Sequence, residues 1–215
     1  MTGLLEFNKI EAVQDPLIAL LTDFGQDDFF VASLKGVIAS VNPSAGIVDI
    51  SHNVPSFQTL ACGFVLSSCY NYFPEKTIFL VIVDPGVGSV RKIILVETKK
   101  YFFIAPDNGT LSMALENEEI NQIRELKNDK YFLPRISNTF EGRDKMAPSA
   151  SWLSKGVKVE DFGPKVDQYE KSHIRKPLVK LNEIVGQVIY IDKFGNIITN
   201  ISHHIVECLR QGRRR

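Results

Sequence analysis

Three short apolar runs, separated by two stretches of helical periodicity, constrain this chain more than any other feature. Leu17 to Leu21 (LIALL), Ile47 to Ile50 and Thr77 to Val83 (TIFLVIV) read as buried strands. Between the first two, Val31, Leu34, Ile38 and Val41 recur at three and four residues, which is the spacing of one buried helix face. Asp27 or Asp28 stands where a side chain can cap that helix by accepting a free backbone N–H. Asn42 and Pro43 stop it. Leu60, Ala61, Phe64, Val65 and Ser68 outline a second helix before the third strand. Strand, helix, strand, helix, strand implies a parallel sheet with crossover helices.

After residue 90 the texture changes. Lys92 to Thr98 and Tyr101 to Ala105 flank two lysines and read as a hairpin. A loop, Ala105 to Gly109 (APDNG), leads into a short helical run through Met113 and Leu115, and a helix over Ala147 to Leu153 ends near Gly156. The polar stretch from 160 to 177, with Gly163, Pro164 and Pro177, reads as connecting chain. Ile184 to Ile191 and Asn196 to Ile201 read as two strands joined by Asp192 to Gly195. The fold class is therefore α/β: an N-terminal, largely parallel sheet with flanking helices over 1–165, a linker over 166–177, and a short C-terminal β segment over 178–215. Two strands are too few to fold alone in water.

Composition narrows the function. The chain has 215 residues, with 25 basic and 25 acidic side chains, so its formal charge is zero. A duplex-binding domain carries a basic stripe, so nucleic acid is not the expected partner. The basic cluster at the end, Arg210 and Arg213 to Arg215, reads as a solvated tail. No apolar run approaches the ~18–20 residues of a membrane-spanning helix. The N-terminus has no basic-then-apolar leader pattern, and the expected compartment is the cytoplasm. Cys62, Cys69 and Cys208 lack CxxC spacing, and Cys62 and Cys69 read as reduced core residues. His52, His173, His203 and His204 form no metal-binding spacing, so no metal site is expected.

The chemistry lies in the loops that leave the strands, because ligands of open α/β sheets bind beyond the strands' carboxyl ends. Asp23 follows the first strand, Asp49 ends the second just before His52, and Asp84 follows the third in DPGVGS. Any one Asp there can be a cap or a turn residue; several together point to a site. DPGVGS is glycine-rich but lacks the Lys-Ser/Thr of a phosphate loop, so its glycines serve a tight turn that a ligand can approach. TFEGRDKMAP (Thr139 to Pro148) sets Glu141, Arg143 and Asp144 beside Phe140, and Ile191 to Ile201 sets Asp192 and Asn196 around a Phe-Gly turn.

TDFGQDDFFVASLKGVI, VDISHNVPSF, FPEKTIFLVIVDPGVGSVRK, APDNGTLS, TFEGRDKMAP and DKFGNIITNI, in this order, resemble the S-adenosyl-L-methionine hydroxide adenosyltransferase family, relatives of the bacterial fluorinase and chlorinase. The match runs from about residue 17 to 201. The resemblance implies a homotrimer of an α/β domain and a C-terminal β-barrel domain, with each site between the α/β domain of one subunit and the barrel of its neighbour. It implies attack of water, acting as hydroxide, on C5′ of the ribose of S-adenosylmethionine, giving adenosine and methionine without metal or organic cofactor. Mapped on the motifs, Asp23 holds the ribose hydroxyls, Asp28 lies near the methionine ammonium, and Phe57 walls the ribose. Asp84 and Arg91 are two members of a water-activating group. Phe140 packs on adenine. Asp192 and Asn196 come from the neighbour, on methionine and adenine.

The sequence departs from the family in two places. Glu141 stands where a His is usual in a TFHGRD-like motif, and the chain stops soon after ITNI, where relatives continue with more of the barrel. Three activities fit these residues: hydrolysis of S-adenosylmethionine, binding of it or of adenosine without chemistry, and transfer to a halide. Glu in place of a neutral His adds about one negative charge, which favours the cationic substrate over a free halide. With Asp84 and Arg91, Glu141 completes the expected catalytic group.

Overall fold

The computed structural model describes residues 16–134, 139–180 and 183–212, with side chains to Glu207. The terminal Arg213 to Arg215, and the side chains of Cys208 and Arg210, lie outside the described residues.

The three apolar runs form β1 (Leu17–Thr22), β2 (Gly46–Ser51) and β3 (Ile78–Ile82). Helix α1 (Phe30–Val41) joins the first pair and α2 (Thr59–Cys69) the second. The hairpin is present as β4 (Ile93–Thr98) and β5 (Phe102–Pro106). Next come the short α3 (Ser112–Leu115), β6 (Ile120–Glu125), a π-helical turn (Gly142–Met146) and α4 (Ala147–Ser154). One six-stranded sheet has the order β2-β1-β3-β5-β4-β6. β1 pairs in parallel with β2 and β3, β3 pairs in parallel with β5, and β4 lies antiparallel between β5 and β6.

Side-chain alternation divides the core into two layers. Ile18, Leu20, Ile78 and Leu80 face Leu34 and Ile38 of α1 and Ala147 and Ala150 of α4. Ala19, Leu21, Phe79 and Val81 face Ala61, Cys62 and Leu66 of α2. A central strand covered on both faces must be apolar at every position, which is why LIALL and TIFLVIV are continuous runs.

Several expectations need correction. Neither Asp27 nor Asp28 caps α1: the N-cap is Phe29, with no side-chain cap bond. β2 is not buried, because it is the sheet's edge and its residues are partly or fully exposed. The buried face of α2 is Ala61, Cys62, Gly63 and Leu66, and Ser68 is exposed. Small residues lie there because α2 sits close to the neighbouring backbone: a Cβ on Gly63 would stand 2.8 Å from the Thr110 carbonyl oxygen. Cys62 and Cys69 are free thiols, Cys62 buried and Cys69 half-buried.

β6 was not expected, since its alternation is broken by Asn121 and Gln122. It holds the start of the supposed linker, where Val166 N–H donates to the Ile123 carbonyl at 2.9 Å, and the loop after β5 holds the next part, where Glu170 N–H donates to Asp107 Oδ1 at 2.7 Å. Ile184 to Ile191 is not one strand but β8 (Ile184–Val185) and β9 (Val188–Ile191), broken at Gly186, where a Cβ would meet Ile201 at 2.5 Å. β7 (Leu178–Val179) pairs with β8, and β9 pairs with β10 (Ile197–Thr199). Tyr190 on β9 sets its ring against Phe64 of α2, centroids 5.3 Å apart. Helix α5 (His203–Gly212) follows. No helix of the described residues is long and apolar enough to cross a membrane.

Candidate active site

β1 and β3 are neighbours, and the chain leaves their carboxyl ends in opposite directions across the sheet. That divergence opens a crevice, the usual ligand position in such sheets. A cavity of about 220 Å³ lies there, lined by Asp23, Phe24, Phe30, Ser56, Phe57, Ile82, Asp84, Val87, Thr139 and Gly142. A second cavity of about 270 Å³ adjoins it, sharing Phe24, Phe30, Thr139 and Gly142 and adding Leu34, Phe140 and Arg143. Gly142 belongs to both because its place against Ile82 is tight: a Cβ would approach the Ile82 methyls to 3.2 and 3.3 Å.

Asp23 is half-buried, and its Oδ2 accepts the Phe57 N–H at 2.8 Å. Burial raises its carboxyl above the ordinary range; the Phe57 bond opposes this and the charge of Asp84 adds to it. Phe57 has φ +64, an outlier for a bulky non-glycine residue. The strained backbone aims its N–H at Asp23 while the ring stays 64% exposed at the cavity mouth. Strain of this kind collects at functional sites.

The DPGVGS turn presents Asp84 to Arg91. Gly86 N–H donates to Asp84 Oδ1 at 3.1 Å, and Ser89 N–H to the Gly86 carbonyl at 3.0 Å. Arg91 Nε contacts both Asp84 oxygens at 2.9 and 2.8 Å, and its Nη2 donates to Oδ2. The same Nη2 reaches Glu141 Oε2 at 2.5 Å. All three side chains are nearly buried, 11% exposed for Arg91, 8% for Asp84 and 7% for Glu141. Glu141 Oε1 accepts from Lys145 Nζ at 2.5 Å. Burial alone would raise the Glu141 carboxyl, but the bonds from Lys145 and Arg91 outweigh it and hold the group below its usual range. The expected trio thus assembles, with a fourth member the motif reading passed over. Lys145 also corrects the electrostatics: the charge of Glu141 is matched by a cation, so the substitution does not make the pocket more negative.

Arg143 Cζ lies over the Phe140 ring, 4.5 Å from the ring centroid, and Phe140 stacks at 11° on Phe29 at 6.1 Å. Asp49 turns away from the crevice. It bonds Lys35 Nζ at 2.6 Å and stands 3.0 Å from His52 Nε2. His52 is buried, and its Nδ1 meets Thr22 Oγ1 at 2.9 Å, so this cluster braces the β1 and β2 loops. Asp28 is exposed on the loop before α1. Asp192 and Asn196 close their own turn: Asn196 Nδ2 donates to Asp192 Oδ2 at 2.6 Å, and the Phe194 and Asn196 N–H groups to Oδ1 at 2.9 and 2.8 Å. Of the expected catalytic trio only Asp84 is among the described residues lining the two cavities; Arg91, Glu141, Asp28, Asp192 and Asn196 do not occur there. Phe24, Phe30 and Ile82 do, unforeseen; the two Phe sit inside the first quoted motif, and Ile82 ends a strand that points at the site.

Fold and site together define an α/β protein with a crevice at the carboxyl ends of its parallel strands, where Asp84 joins the cavity to a nearly buried carboxylate–guanidinium–carboxylate group. The SAM hydroxide adenosyltransferase N-terminal domain matches residues 18–163 and the C-terminal domain of the same family matches residues 186–215, so the chain belongs to that family. An (R)-S-adenosyl-L-methionine hydrolase of Methanocaldococcus jannaschii is 35% identical over 190 residues, covering 86% of this chain and 66% of that protein. One of Salinispora arenicola is 33% identical over 202 residues, covering 93% and 77%. The crystal structure of an uncharacterized conserved protein from Thermotoga maritima superposes with a TM-score of 0.80 at 40% identity, covering 90% of this chain and 74% of that one. The chain therefore spans about two thirds to three quarters of these relatives' lengths.

Proposed function

We propose that this protein hydrolyses S-adenosyl-L-methionine to adenosine and L-methionine. One observation carries the reading: Asp84 lines a crevice with Asp23 and Phe57, and is ion-paired there through Arg91 to Glu141 in a single nearly buried group. The names of the relatives support the same substrate.

The reaction is a displacement at C5′. A water oxygen bonds to C5′ as the C5′–S bond breaks, and the sulfonium leaves as the neutral thioether of methionine. Because the leaving group is good, the barrier lies in aiming and desolvating the water. Asp84 and Glu141 hold the guanidinium and accept the water's hydrogen bonds. As the O–C5′ bond forms the water's proton grows more acidic, so even a carboxylate held low draws it off, and it passes on to solvent. Arg91, always charged, stabilises the hydroxide character that this proton transfer leaves on the oxygen.

Asp23 accepts the two ribose hydroxyls. Phe57 covers the ribose face, Phe140 contributes to the adenine side, and Asp28 receives the methionine ammonium. Asp192 and Asn196 act on a neighbouring subunit in a homotrimer. Exposed apolar side chains around the crevice support such a cover: Phe29 at 59%, Phe57 at 64% and Val90 at 104%. The cytoplasm, where the substrate is made, is the proposed compartment.

Product analysis after long incubation with S-adenosylmethionine and chloride tests the reading. Adenosine and methionine in equal amounts are expected. A halogenated nucleoside identifies a halide-using transferase instead, and no product with retained adenosine binding identifies a binding protein. Light scattering at tens of micromolar tests the trimer, which a compact monomer overturns.

A further inference from the structure

Lys145 lies four residues after Glu141, across the π-helical turn, in the order that favours an acid–base pair on a helix. Its side chain is only 18% exposed, and its Nζ also sits 5.9 Å from the Phe132 ring centroid. It is an inward-held cation rather than a solvated one. On the hydrolase reading above, we propose that Lys145 is a positioning residue for the reaction: it occupies one oxygen of Glu141 and leaves the other to hold Arg91.

The charges show why this matters. Asp84 and Glu141 contribute two negative charges to a nearly buried site, and both take up the Arg91 guanidinium. Excess negative charge there opposes an anionic nucleophile and competes for the guanidinium that should face the water. Lys145 takes up one oxygen of Glu141, so less of the guanidinium's charge is spent on that carboxylate, and Asp23 in the cavity keeps a negative charge for the cationic substrate. The charged groups that face Glu141 include Arg91 from the loop after β3 and Lys145 from its own turn, and Asp84 shares the Arg91 guanidinium. Arg143 and Asp144, next in sequence, pair with each other at 2.7 Å. Glu141 and Lys145 are thus one functional unit, and neither should be changed alone.

The test compares Lys145→Met, Lys145→Arg and Glu141→Gln/Lys145→Met with wild type and Glu141→Gln. Adenosine formation is followed across pH, and the Glu141 carboxyl is titrated by carbon-13 NMR, assigned through Glu141→Gln. Lys145→Met should lower kcat about tenfold with KM changed less than about threefold, the sign of an interaction used in the transition state. The Glu141 titration and the acidic limb of the rate profile should both move to higher pH, and Lys145→Arg should restore both. The double variant should lose no more than Glu141→Gln alone, because coupled partners are not additive. Wild-type kcat with an unmoved Glu141 titration in Lys145→Met overturns the proposal, as does strict additivity. If wild type forms no adenosine, the hydrolase reading has failed, and with it the positioning role; the NMR titration then still decides whether Lys145 sets the charge state of Glu141.

Discussion

Replacing Arg91 by Met tests whether the buried ion group is what the geometry says it is. The substitution keeps most of the side-chain volume and removes the charge between Asp84 and Glu141, which are 8% and 7% exposed. Glu141 retains Lys145 at 2.5 Å, while Asp84 keeps the Gly86 N–H at 3.1 Å. The penalty therefore falls mainly on Asp84. Removing one partner of a buried pair costs about 3–5 kcal/mol. At this chain length each kcal/mol moves Tm by about 2–4 °C, so a drop of about 6–20 °C is expected at neutral pH.

The pH dependence follows from linkage. In the wild type, Glu141 is held below its ordinary 4.5, so its contribution is complete above that value and is lost as pH falls through the depressed folded one. In the variant Glu141 loses one of the two cations that depress it, so this contribution shrinks. The Tm gap between the two proteins should hold from pH 7 to pH 5 and narrow as pH falls below 4.5. Circular-dichroism melts at one fixed protein concentration measure this, with Arg91→Lys as a control that keeps charge but loses the two-pronged contact. A Tm within about 2 °C of wild type at pH 7, or a gap that does not change with pH, refutes the reasoning.

Three further outcomes are expected. Asp23→Ala should weaken adenosine binding tenfold or more by calorimetry, since each charge-assisted bond to a ribose hydroxyl contributes roughly 1.5–3 kcal/mol; and because the Asp23 carboxyl is raised, wild-type affinity should begin to fall at a pH above its ordinary 3.8. Glu141→Gln should lower turnover at pH 7 about tenfold or more with a smaller change in KM, and Glu141→His should retain turnover, because a neutral imidazole restores the residue usual in the motif. Gly63→Ala should destabilise by about 1–3 kcal/mol, read as a lower urea midpoint at unchanged slope, because the new methyl has only the Thr110 carbonyl to push against.

Much of this protein is legible in the chain itself. LIALL and IFLVIV are apolar at every position, and only a strand covered on both faces needs that. The 3-and-4 spacing of Val31, Leu34 and Ile38 locates α1. Carboxylates just past the apolar runs mark the ligand end of the sheet, and the quoted motifs name Asp23, Asp84, Arg91 and Glu141. These signals are local, so they survive without coordinates.

What tertiary structure alone decided are relations between distant segments. Ile47, Val48 and Ile50 of β2 read as a buried run like that of β1, but β2 lies at the edge, since strand order is a property of the whole sheet. β6 exists because β4 offers it an unpaired edge, not because its own alternation is strong. Asp49 resembles Asp23 in sequence, yet Lys35 and His52 turn it away from the crevice. Phe57 carries no letter that foretells φ +64; that strain arises where its N–H meets Asp23, 34 positions earlier. Glu141 and Lys145 stand four apart for any reader to see, but their charge matters only because Arg91, 50 positions before Glu141, is folded against them in a nearly dry site where each unit of charge must be matched.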